Sequence, residues 1–74
     1  MESPFDPGQA IARMKRRNKR DVTWTLQDVT VRWRYIDGAH ARNWDGSPAP
    51  NPGCTALERV VHREGSLPRY TNYW

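Results

Sequence analysis

The chain predicts a small single-domain α+β fold, and three observations carry that expectation. A capped basic segment opens it, a run of alternating apolar and polar residues follows from Val22 to Ile36, and a second capping signal at Thr55 lies beyond a proline-rich gap. The expected order is a basic N-terminal helix within 1–20, a β-hairpin or three-stranded meander over 22–44, and a Pro/Gly loop over 45–53. A short C-terminal helix over 55–64 and an irregular aromatic tail over 65–74 complete it.

The helix entrance is Asp6-Pro7-Gly8-Gln9. Asp6 suits the N-cap, Pro7 the first helical position, and Gln9 the N3 position that reaches back to the cap. From Gly8 to Lys19 the apolar positions are Ala10, Ile11 and Met14, a stripe that covers only the first half. Beyond Met14 the segment is basic all round, and like charges at i, i+3 and i, i+4 repel by a few tenths of a kcal/mol per pair. Fraying of Lys15 to Arg20 in the absence of an anion is the expectation.

Val22 to Ile36 alternates cleanly, but its apolar phase shifts near Gln27-Asp28, which demands a tight turn or a bulge there. Asp37-Gly38 then matches a two-residue hairpin turn. Folding about it would pair Tyr35 with His40, Trp33 with Arg42 and Val31 with Trp44, placing the Arg42 guanidinium over the Trp33 ring. Asp45 to Gly53, with three prolines, reads as a loop. Thr55-x-x-Glu58 forms a capping box and Gly65 a terminator, with Leu57, Val60 and Val61 as an apolar stripe, so a helix is expected from Ala56 to Glu64.

Seventy-four residues bury only roughly 60% of the unfolded surface, so the core must be thin. Hydrophobic residues are 36% of the chain and mean hydropathy is −0.97, yet there are four Trp and three Tyr; the rings must carry much of the core. No apolar run reaches the roughly 18 residues of a membrane span, and no apolar leader opens the chain. A single cysteine gives no internal disulfide. A cytoplasmic setting, in a bacterial or host cell or its nucleoid, is expected.

Ser3, Ser47, Ser66 and Cys54 with His40 and His62 fall in no nucleophile–base motif, and Cys54, His40 and His62 lack the close pairing of a zinc site. The expectation is a non-enzymatic chain with no cofactor and no metal. Charge is the informative feature. Residues 1 to 20 hold Arg13, Lys15, Arg16, Arg17, Lys19 and Arg20 against Glu2 and Asp6, whereas residues 21 to 74 hold six Arg against six acids. The whole net charge of +4 thus sits in the first twenty residues.

Six cations in eight residues can neutralise phosphates and release their counterions. RNA or DNA is therefore the first candidate partner, with Arg32, Arg34 and Arg42 extending the surface. Arg13-Met14-Lys15-Arg16-Arg17-Asn18-Lys19-Arg20, on a capped helix, resembles the arginine-rich segment of phage antiterminators and, with the small size and aromatic content, small phage-encoded transcription regulators. The resemblance covers about a dozen residues and implies transcription control or antitermination, with nucleic acid or RNA polymerase as partner. Two rivals stand beside it. One is a phage-type inhibitor or adaptor on a host protein such as RNA polymerase, anchored by Phe5, Tyr70, Tyr73 and Trp74, since Trp, Tyr and Arg dominate binding hot spots. The other is a structural component of a larger assembly.

Overall fold

The computed structural model describes residues 3–74; the part of the helix expectation that falls on Met1 and Glu2 lies outside the described residues. One helix, α1 (Pro7–Arg17), precedes four strands, β1 (Asp21–Leu26), β2 (Val29–Asp37), β3 (Thr55–Arg63) and β4 (Arg69–Tyr73). The strands form one antiparallel sheet in the order β1-β2-β3-β4. The coarse α+β class is therefore as expected, but the second half of the chain is sheet.

Asp6 caps α1 by accepting from the Gly8 amide at 2.8 Å, with Pro7 at the first helical position. Gln9 reaches back past the cap to the Ser3 amide at 2.6 Å. At the other end Asn18 takes the left-handed conformation (φ 53, ψ 48). The Lys19 amide then bonds to the Met14 carbonyl at 2.9 Å and the Asn18 amide to that of Lys15 at 3.2 Å, the paired bonds of a Schellman terminator. So α1 stops at Arg17 with a terminator of its own. Lys15, Arg16 and Arg17 occupy its last turn, where cations offset the negative end of the helix dipole.

The phase shift at Gln27-Asp28 is a two-residue turn. Leu26 pairs with Val29, and Gln27 supplies the positive φ of 50°. Alternation then places Val22, Trp24, Val31, Trp33, Tyr35, Leu57, Val61 and Tyr73 on the face covered by α1, where they meet Ala10, Ile11 and Met14. Trp33 is wholly buried at the centre and tied to the chain start by its indole N–H, which donates to the Pro4 carbonyl at 2.7 Å. Arg59 beside it donates to the Phe5 carbonyl at 3.1 Å.

Three expectations are corrected. The first is the hairpin about Asp37-Gly38, because β2 pairs along its full length with β3, from Val29↔Arg63 to Asp37↔Thr55. The Asp37 carboxylate instead accepts from the Ala39 amide at 3.0 Å and caps a 3₁₀ turn, Gly38–His40. Arg42 consequently lies over Tyr70, 4.8 Å from its centroid, while Trp33 has Arg59 over it.

The second correction is the C-terminal helix, whose residues form β3. A nine-residue helix with one apolar stripe is marginal alone. As a strand the same residues are laddered on both sides, Leu57, Arg59 and Val61 face α1, and the β-branched Val60 and Val61 suit the pleat. The third is the irregular tail, which is β4: Pro68 ends just before the strand, so no ladder donor is lost.

Candidate phosphate-contacting surfaces

The structure divides the predicted basic residues into two groups on opposite faces of the sheet. The first belongs to α1 and the link to β1. Arg13 lies against the core edge, its guanidinium 4.6 Å from the Trp24 ring centroid, and Arg13 and Arg16 each have a further interaction partner. Lys15, Arg17, Lys19 and Arg20 are exposed. The Schellman terminator turns the chain sharply, so Lys19 and Arg20 lie beyond the last helical turn. Arg20 stands over Tyr35, 5.3 Å from the ring centroid, and its carbonyl accepts from the Tyr35 amide at 3.2 Å. Lys15, Lys19, Arg20 and Tyr35 wall a hollow of about 230 Å³ floored by Ile11 and Met14.

The second group is on the face away from α1. Arg32 and Arg34 project there from β2, as their register partners Val60 and Glu58 do from β3. The loop after the 3₁₀ turn folds over this face and delivers Arg42. It is held by the Tyr70 amide donating to the Trp44 carbonyl at 3.1 Å and by the Asn72 side-chain amide donating to the Arg42 carbonyl at 2.6 Å. Arg42 also donates to the Tyr70 hydroxyl at 3.1 Å.

Glu58 was legible only as a capping-box residue, and it is instead the one wholly buried acid among the described residues. Its Oε1 accepts from Arg34 Nε at 2.9 Å. Its Oε2 and the Oδ1 of Asn72, its register partner on β4, are enclosed without a hydrogen-bond partner. A Glu flanked by Ala56, Leu57, Val60 and Val61 was the available signal, because period-two alternation of that stretch puts the acid inside a sheet.

The predicted interface anchors separate. Tyr73 packs on Trp33 with centroids 5.6 Å apart, and Tyr70 is tied up with Arg42. Phe5 is 37% exposed and Trp74 61%. Sequence reasoning missed an exposed apolar patch where the loop meets the start of β4: Trp44 is 62% exposed and Leu67 83%, with Arg69 over the Trp44 ring at 4.8 Å. In the same loop Asp45 has its carboxyl held below the ordinary range by the Ser47 hydroxyl and then the Ser47 amide.

Cys54, His40 and His62 are all exposed, and no group of three His, Cys, Asp or Glu side chains comes together among the described residues. Nor, among those residues, is any helix long and apolar enough to cross a membrane. No protein-family model matches the chain, and no curated protein or solved structure matches it at a significant level.

Proposed function

We propose that the chain is a small non-enzymatic regulator that contacts nucleic-acid phosphates through the end of α1. The carrying observation is four exposed cations, Lys15, Arg17, Lys19 and Arg20, within six residues, in a stretch with no acid between Asp6 and Asp21. Compensation of the helix dipole accounts for Lys15 and Arg17, at about 0.3–1 kcal/mol each, but that effect fades beyond the last turn. Lys19 and Arg20 lie past it and find no acidic partner among the described residues. A polyanion supplies what the fold does not, and Tyr35 under Arg20 adds a ring beside the phosphate path.

The test is fluorescence anisotropy of a labelled RNA hairpin and of duplex and single-stranded DNA over a range of salt. Four phosphate contacts give log–log slopes of about −3 to −4. Replacing Lys19 and Arg20 with Ala lowers the slope by about two. A slope unchanged by that replacement removes the reading.

A second reading, an adaptor on a host protein such as RNA polymerase, draws support from the exposed Trp44–Leu67 patch, which walls a hollow of about 390 Å³ with Pro68 and Arg69. Capture of one stoichiometric partner from nuclease-treated lysate, lost on Trp44→Ala, favours it over direct phosphate contact.

A further inference from the structure

The hollow on the sheet face opposite α1 is built unlike an ordinary charged surface. Arg32, Arg34, Arg42, Glu58, Val60 and Tyr70 line a space of about 220 Å³. Three guanidinium groups converge, two from β2 and one from the loop that follows it, and that loop is fastened to β4 by two hydrogen bonds beside Arg42. Among the described residues only two acids answer them. Asp21 reaches Arg32 at 4.0 Å in a half-exposed pair, worth little in water. Glu58 is buried and holds Arg34 by Nε alone.

Desolvating a carboxylate costs several kcal/mol, and a well-packed apolar pair of the same volume is often at least as stable. What the Arg34–Glu58 pair adds is direction. A guanidinium is planar and rigid, so fixing Nε on a buried acceptor aims its two terminal nitrogens, which make no other hydrogen bond to described residues. Tyr70 accepts from Arg42 through its hydroxyl oxygen and keeps its own hydrogen to donate. Forked donors, residual positive charge and a neutral hydroxyl are the chemistry that recognises a tetrahedral oxyanion.

We infer that this hollow is a phosphate-binding site, with Arg32, Arg34, Arg42 and Tyr70 as donors and Glu58 as the positioning residue. It lies across the sheet from Lys19 and Arg20 and does not depend on the helix end binding anything. The phosphate group has two sources, a free phosphate or a polynucleotide backbone, and the experiment separates them. Full-length protein labelled with nitrogen-15 is titrated at constant ionic strength with inorganic phosphate, and separately with an oligothymidylate lacking terminal phosphates, while the Arg side-chain Nε–H signals are followed by NMR.

Saturable shifts at Arg32, Arg34 and Arg42 with inorganic phosphate assign the site to the free ion; the same shifts with the oligonucleotide alone assign it to a backbone. Arg42→Gln leaves the sheet pair intact and weakens either titration about tenfold, the loss of one charge-assisted hydrogen bond. Lys19→Ala with Arg20→Ala leaves the phosphate titration unchanged, so failure of the helix-end reading shows separately. Absence of saturable shifts with both probes, or equal affinity in Arg42→Gln, overturns the inference.

Discussion

Arg34 and Glu58 face each other in register across β2 and β3, with Nε donating to Oε1 at 2.9 Å. The arginine side chain is 34% exposed and the carboxylate not at all. The two ends of this pair therefore have different consequences when removed. Arg34→Ala strands a buried carboxylate and is expected to cost about 3–5 kcal/mol. That is a large share of the stability of so small a domain. Arg34→Met combined with Glu58→Leu keeps the volume, removes both charges and restores most of the loss. Urea midpoints of the single and double variants check this, and a double variant as unstable as Arg34→Ala would show that the pair itself holds the sheet.

Asn18 is the hinge between α1 and the sheet, and its left-handed backbone is the reason the helix ends at Arg17. Asn18→Gly fits that conformation without penalty and leaves stability close to the parent. Asn18→Val places a β-branched side chain there, at about 1–2 kcal/mol, which lowers the thermal midpoint by about 4–8 °C per kcal/mol in a domain of this size. Circular dichroism melts of the two variants give the comparison.

Gly38 carries the opposite kind of constraint, one of space. A Cβ there would overlap the Asn51 carbonyl oxygen and come 2.7 Å from that of Cys54, both backbone atoms that cannot swing aside. The Gly38 amide also donates to the Cys54 carbonyl at 2.7 Å, and its own carbonyl accepts from the Asn51 amide at 2.8 Å. Gly38→Ala forces these strands of chain apart and is expected to cost about 1–3 kcal/mol. Hydrogen exchange should report it as faster exchange at the amides of Gly38 and Asn51 than in the parent, with β1 protected as before.

The first half of the fold was legible because its signals are local. Asp6 and Pro7 mark a helix start by chemistry within three residues, and the phase shift at Gln27 marks a turn whatever the strands pack against. The second half was not. Thr55, Glu58 and Gly65 satisfy every local rule for a helix, and Leu57, Val60 and Val61 supply its stripe. The strand wins because β2 and β4 both offer Thr55–Arg63 a partner, a benefit that no window of nine residues contains. Asp37-Gly38 misled for the same reason, since the turn signal was real but the Asp37 side chain spent it on a 3₁₀ turn. Of the basic residues, the cluster in α1 was visible as a run, whereas the convergence of Arg42 on Arg32 and Arg34 depends on a loop crossing the sheet.

Every strand pairs with its neighbour in the chain, but the three connections differ greatly in length: residues 27–28, 38–54 and 64–68. Loop-closure entropy grows with the logarithm of length, so bringing β2 onto β3 costs about 2 kcal/mol more than closing the first turn. On that estimate the meander is expected to assemble as two hairpins. The β1–β2 pair with α1 and the β3–β4 pair each join residues close in sequence, and the central seam, which holds Trp33, Glu58 and the longest ladder, is expected to close last, as a docking of two halves of the chain.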